Sequence, residues 1–306
     1  MIKRYLTIGL AMAWLVGKAE SVKVVCHVLS EDGNPVTNAV VKTTTERDRL
    51  NMSWTKPIKM KTWTVSTGKD GRAISSFTCH SGDFEVEVSA DGFYPERLRD
   101  QHFAIKLNSS NTGYIFEERE KDLSITLRKI IKPVNMVVHR FPDKTFPRRS
   151  GTFGFDLERG DWTAPFGTGK VADITFTYNL TVTKDEERCT GSLSFNASGG
   201  AYKLKKQKGT SFVSVYEADS NATYRTEFPF SSYCSYKDSG SYGAVVVAED
   251  DEYLVFRTRV VKDENGNIVS ANYGKIYGAI RTIGFFGATA IYFNPTPNDT
   301  NLEAKQ

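Results

Sequence analysis

Histidine is scarce in this chain: His27, His80, His102 and His139 are the only four among 306 residues, and none adjoins a recognisable nucleophile motif. Neither a Gly-x-Ser-x-Gly elbow nor a His-Glu-x-x-His pair occurs, so the two commonest hydrolase signatures are absent. A helix needs ~20 apolar residues to cross a bilayer; the run from Tyr5 to Val16 falls short of that, and no later run approaches it. Apolar residues at a 3.6-residue period over helical length are missing before residue 130, which argues against long amphipathic helices there. One-sided charge is lacking too, with 40 basic residues against 36 acidic.

The N-terminus, "MIKRYLTIGLAMAWLVGKA", has Lys3 and Arg4, then an apolar run, then Gly17 and Ala19 as small residues at a cleavage spacing. Residues 1–19 are therefore expected to be a secretory signal peptide, with no membrane span after cleavage. Removing them takes away Lys3, Arg4 and Lys18, and leaves 37 basic against 36 acidic residues. The basic balance then no longer argues for nucleic acid. A local basic cluster, "YKLKKQKG" (202–209), reads as a solvated strand end and turn.

Four cysteines in an exported chain suggest two disulfides, with three connectivities open. Cys26 and Cys79 lie in the first half, Cys189 and Cys234 in the second, so pairing within each half is the economical arrangement. Cys26-His27 and Cys79-His80 also supply the ligand inventory of a zinc site. Both pairs sit in strand-like runs, however, and neighbours on a strand point to opposite faces. That geometry favours inward cysteines and outward histidines.

From residue 20 the pattern alternates. "VKVVCHVL" and "NAVVKTTT" are strand-like, "SEDGNPV" is a turn, and "WTVST" leads through "GKDG" into "RAISSFTC". In "FEVEVSA", Phe84, Val86 and Val88 share one face, while Glu85, Glu87 and Ser89 share the other. Three ordered stretches, "VLSEDGNPVTNAVVKT", "STGKDGRA" and "SGDFEVEVSADGFYPE", resemble the carboxypeptidase regulatory-like, transthyretin-type β-sandwich over about residues 20–130. Ala73 departs from the aromatic usual after the Asp-Gly-x turn. An insertion, "ERDRLNMSWTKPIKMKTW", carries Trp54 and Trp63. The resemblance implies a domain that is generally non-catalytic and serves folding, spacing or adhesion.

Residues 131–152, rich in Pro and Arg, read as a connector. From 153 to 306 alternation returns in eight candidate strands, from "KVADITFTYNLTV" to "ATAIYFNP", as expected of a second β-sandwich of jelly-roll type. The fold class is thus all-β, two antiparallel sandwiches in tandem. The stretches "GFDLERGDWTAPFGTGKVADITFTY" and "SANYGKIYGAI" are similar to a group of uncharacterised exported bacterial proteins, which implies an envelope or secreted setting.

The motifs that suggest cofactors fail on context. Gly167-x-Gly169-x-x-Ala172 lacks the preceding strand and following helix of a dinucleotide site. "KDENGNIV" has Gly274 where a calcium loop needs glutamate, and "AEDDEY" reads as a solvated acidic turn. No metal or cofactor is expected. The expectation is an exported, non-enzymatic structural, adhesive or binding protein of the cell envelope, with a protein or glycan partner. A carbohydrate-binding module using Trp54, Trp63 and Trp162 is one alternative. A hydrolase whose carboxylates meet only in space is another.

Overall fold

The computed structural model describes residues 20–46, 60–79, 82–107, 114–141, 146–196, 198–209, 211–236, 242–278 and 289–305. The expected leader, Trp54 and His80 lie outside the described residues. Every regular element among the described residues is a β-strand. The chain divides into two compact units, residues 1–130 with 208–212, and residues 131–207 with 213–306.

Unit 1 contains β1 (Glu20–Ser30), β2 (Val40–Glu46), β3 (Met60–Ser66), β4 (Arg72–Cys79), β5 (Asp83–Ser89), β6 (Glu96–His102), β7 (Ile105–Leu107), β8 (Tyr114–Phe116) and β9 (Glu120–Leu127). One sheet has the order β4-β1-β9 and another the order β3-β2-β5-β6, with β7 and β8 as a separate pair. The β1–β9 pairing is parallel, Cys26 lying beside Leu123; β1 meets β4 antiparallel. Period-2 patterning dictates the inward faces: Ala73, Phe77 and Cys79 of β4 meet Phe84, Val86 and Val88 of β5 in one apolar core. Each large side chain so buried contributes ~1.5–3 kcal/mol.

The "TGKDGR" stretch is the tight turn that carries the chain from β3 in one sheet to β4 in the other. Gly68 N–H donates to Arg72 O at 2.9 Å and Gly71 N–H to Gly68 O at 3.0 Å, with Gly71 at a φ of 71° that favours glycine. Asp70 is spent locally, its Oδ1 accepting Arg72 N–H at 3.1 Å. Gly71 O in turn accepts Val28 N–H at 2.8 Å, which joins the turn to β1.

Unit 2 contains β10 (Val137–Phe141), β11 (Ser150–Asp156), β12 (Asp161–Trp162), β13 (Ile174–Val182), β14 (Glu186–Ser194), β15 (Gly200–Lys205), β16 (Glu227–Ser235), β17 (Tyr242–Val245), β18 (Glu252–Lys262), β19 (Ile268–Tyr277) and β20 (Thr289–Phe293). A six-stranded sheet runs β12-β11-β13-β14-β16-β17 and a five-stranded sheet runs β10-β20-β19-β18-β15. Between them lies an aromatic core: Phe153, Phe155, Phe176 and Phe228 from the first, Phe256, Ile291 and Phe293 from the second. The stretch 131–152, expected as a connector, thus holds an edge strand of unit 2 and the start of β11. On the other face of the five-stranded sheet Tyr253, Val255, Ala271 and Tyr273 pack with Ala218 and Leu302.

Two expectations are corrected here. None of the four cysteines is joined in a disulfide. Cys26 pairs with Ala73 and Cys79 with Glu20, a strand separation of ~20 Å, whereas a disulfide needs Cα atoms within ~7 Å. Cys189 faces Ser232 and Cys234 faces Glu187, which makes them diagonal neighbours ~7–8 Å apart. Trp162 is no platform: it is 5% exposed and packs edge-on against Phe155 at 5.1 Å.

Candidate functional site

In unit 2 several ionisable side chains form a knot around Arg259. Asp156 ends β11, Asp173 precedes β13, and both carboxylates are buried, at 2% and 0% exposure. Arg259 Nε donates to Asp173 Oδ1 at 2.9 Å and its Nη2 to Asp173 Oδ2 at 3.0 Å. The same Nη2 donates to Asp156 Oδ1 at 3.1 Å, and Nη1 pairs with Glu158. The guanidinium also lies over the Phe293 ring, 5.2 Å from its centroid.

A local irregularity aims Arg259. Consecutive strand residues point to opposite faces, yet Thr258 Oγ1 also donates to Asp173 Oδ1, at 3.2 Å. The β18–β19 register shifts between Thr258 and Val261, and Arg259 adopts a φ of 51°. This bulge turns two neighbouring side chains toward one carboxylate. A left-handed non-glycine residue costs ~1–2 kcal/mol; the fork of charged hydrogen bonds offsets that cost.

The glycine-rich loop between β12 and β13 serves the same knot. Asp156 Oδ2 accepts Lys170 N–H at 2.9 Å and Val171 N–H at 3.2 Å, while its Oδ1 accepts Glu158 N–H at 3.0 Å and Arg159 N–H at 3.1 Å. Burial pushes the Asp156 carboxyl up, but these four N–H groups outweigh it and hold the group below its ordinary value. Asp161 Oδ2 accepts both Thr168 N–H and its hydroxyl, at 2.8 and 2.9 Å. A Cβ at Gly167 would come within 2.4 Å of Trp162 O, and one at Gly169 within 2.7 Å of Asp161 O. The two glycines allow close backbone approach within the fold.

His139 lies beside the loop between β11 and β12. Its Nε2 lies 2.6 Å from Leu157 O and its ring meets Phe155 edge-on at 5.6 Å. Chemically, then, the carboxylates of the knot hold backbone, and Arg259 bridges the two buried ones. Neither Arg259 nor His139 was singled out in the sequence as part of a site. A charged residue inside "YLVFRTRVV" was the available signal, since a cation in a buried strand must meet counter-charge.

The outer face of the six-stranded sheet is a different surface. Register places Thr152, Thr177, Ser192 and Pro229 in one row across β11, β13, β14 and β16, and Ser150, Asn179, Thr190, Ser231 and Val245 in the next. A third row holds Gly154, Thr175, Ser194 and Glu227. Thr152, Thr177, Asn179 and Thr190 are exposed. Neighbouring hydroxyls in a row are spaced ~4.7–4.9 Å in the sheet direction. Arg188, over the Tyr233 ring at 6.0 Å, flanks the array.

The two charge runs neutralise each other. Lys205 Nζ lies 2.8 Å from Asp251 Oδ2 and 3.4 Å from Glu252 Oε1, because β15 and β18 are antiparallel neighbours. In unit 1, Cys26 is buried and His27 is exposed, 3.3 Å from Asp122. Burial alone pushes the Cys26 thiol up to about 12. Among the described residues no cluster of three or more His, Cys, Asp and Glu is placed to hold a metal. Trp63 is half-buried, stacked on Phe77 at 4.7 Å with Lys61 above it at 4.8 Å.

No family model matches the chain, and no curated protein matches it. Among solved structures it is similar to 3-chlorocatechol 1,2-dioxygenase from Rhodococcus opacus, at 11% identity and TM-score 0.26, covering 37% of this chain and 62% of that one. An intradiol ring-cleavage dioxygenase from Tetranychus urticae aligns at 10% identity and TM-score 0.24, over 38% of this chain and 84% of that one. A protein of unknown function from Bacteroides fragilis, described as membrane-associated, aligns at 8% identity and TM-score 0.21, over 91% of this chain and 99% of that one.

Proposed function

We propose that this is an exported, two-domain β-sandwich protein that works without catalysis as an adhesive or binding component of the cell envelope or secretome. In this reading residues 1–19 are its signal peptide, unit 1 is a carboxypeptidase regulatory-like scaffold, and unit 2 is a jelly-roll-like sandwich that carries the contact surface. The contact surface is the outer face of the six-stranded sheet, and its partner is a neutral polysaccharide.

One observation carries the reading: two successive rows of that face, across β11, β13, β14 and β16, contain no ionisable side chain. Threonine and serine suit strands for their own reasons. Other exposed strand faces of this protein nevertheless pair charges, as in Lys23–Glu120, Arg97–Glu85 and Lys205–Asp251. A regular hydroxyl lattice offers both donors and acceptors to sugar hydroxyls. Placing a charge there would disrupt it without touching the core.

Pull-down of the full chain on a panel of neutral polysaccharides tests this. Retention that falls about 10-fold in Thr177→Lys and Thr190→Lys, each with unchanged circular dichroism, is the expected result; 10-fold corresponds to ~1.4 kcal/mol of binding. Failure of the wild-type chain to bind any of the panel overturns it.

A further inference from the structure

The chain contains a single Asn-Gly pair, Asn265-Gly266, and it falls in the turn between β18 and β19. Both residues are exposed, as is every residue from 261 to 269. Gly266 N–H donates to Asp263 O at 3.0 Å and closes the turn, with Gly266 at a φ of 85°. A Cβ at Gly266 would meet nothing within 4 Å, so the space beside it is open to water. The Asn265 side-chain amide makes no hydrogen bond among the described residues.

An asparagine amide followed by glycine carries its own chemistry. The next main-chain nitrogen lies within reach of the amide carbon, and glycine, lacking a Cβ, lets the chain close into the cyclic imide that joins them. The Gly266 nitrogen bonds to Cγ of Asn265 and passes its proton, by way of water, to Nδ2. The Cγ–Nδ2 bond breaks and ammonia leaves. Water then opens the imide at either carbonyl, leaving aspartate or isoaspartate at position 265. Water is the only reactant consumed.

A clamp holds the nucleophile in this turn. Asp263 Oδ1 accepts Asn265 N–H at 2.9 Å and Asn267 N–H at 2.8 Å, and its Oδ2 accepts Asn267 Nδ2 at 3.1 Å. The Asn267 side chain first, and then these N–H groups, hold the Asp263 carboxyl below its ordinary value, so the acceptor stays ionised at neutral pH. One carboxylate thus fixes the main chain on both sides of Gly266, while Gly266 N–H is committed to Asp263 O.

We propose that Asn265 is a site of spontaneous deamidation whose rate is set by the Asp263 carboxylate, which must release the turn before Gly266 can attack. This does not depend on the polysaccharide reading. Either product adds a carboxylate beside Asp263 and Glu264. Isoaspartate also lengthens the main chain between Asp263 N–H and its acceptor Asn267 O, which are 2.9 Å apart in the intact hairpin.

The full chain kept in warm, mildly alkaline buffer and sampled by peptide mass mapping tests it. Asn265 is expected to convert to a mixture of aspartate and isoaspartate. Asp263→Ala removes all three contacts to the carboxylate and is expected to speed the conversion about 10-fold, with unchanged circular dichroism, because attack follows the population of opened turn. The wild-type chain in urea, where the turn is released without any substitution, should convert at least as fast as the variant. Asn265 left intact under all three conditions overturns the proposal. Equal rates in wild type and Asp263→Ala, or in native buffer and urea, overturn it as well.

Discussion

Arg259 grips Asp173 at two points inside unit 2, Nε on Oδ1 at 2.9 Å and Nη2 on Oδ2 at 3.0 Å. Asp173 has no exposed surface, so removing the guanidinium strands a buried charge. Replacing Arg259 with Met is therefore expected to cost ~3–5 kcal/mol, the range found when one partner of a buried pair is lost. Urea unfolding of the full chain measures it, and a loss within ~0.5 kcal/mol would mean the site rehydrates freely.

Acid should attack the same place. The Asp156 carboxyl is held below its ordinary value in the folded chain, so its contribution to stability is complete above the unfolded carboxylate value of ~4. It is lost as pH falls further, through the folded value, because the unfolded chain takes up that proton first. Asp156→Asn is expected to flatten the decline in stability below pH ~4, measured as urea midpoints against pH. An unchanged slope would assign acid sensitivity to other carboxylates.

Trp162 is a core residue, at 5% exposure between Phe153, Phe155 and Phe176. Trp162→Ala should cost ~3–5 kcal/mol, whereas a sugar platform would lose binding and keep its stability. Thermal unfolding and polysaccharide pull-down on the one variant separate the two outcomes.

The strand alternation of unit 1 was legible in the sequence because it rests on period 2 alone: Phe84, Val86 and Val88 are all buried, as their spacing requires. The "GKDG" turn was legible for a similarly local reason. What escaped depends on register between distant segments. Four cysteines announced bridges by their number, but only the pairing of Cys26 with Ala73 and of Cys79 with Glu20 reveals their separation. The Arg259 knot escaped because its carboxylates lie about a hundred positions away in sequence, Asp156 at a separation of 103 and Asp173 at 86. The Ser and Thr residues of the outer face were visible individually; their rows became visible once four strands were aligned.

Thiol reactivity should follow burial. Cys26, Cys79 and Cys189 are buried and Cys234 is half-buried; burial also pushes the Cys26 thiol up to about 12, which leaves little thiolate at neutral pH. Iodoacetamide under native conditions is expected to modify Cys234 first and the other three only in denaturant, read by peptide mass mapping. A Cys26–Cys79 crosslink in the non-reduced digest would contradict the strand register.

Timing of synthesis adds a last consequence. The Glu303 carboxylate, 1% exposed, accepts the N–H groups of Ile131 and Lys132 at 2.8 and 2.6 Å, across 172 and 171 residues of sequence. At ~5–20 residues per second, the first of these partners waits about 10–30 s for the other to be made. This contact therefore forms only after residue 303 has been made, even though the hairpins of unit 2 form quickly. The clasp that closes this segment is Glu303 together with Asn301, whose Nδ2 donates to Lys132 O at 2.7 Å.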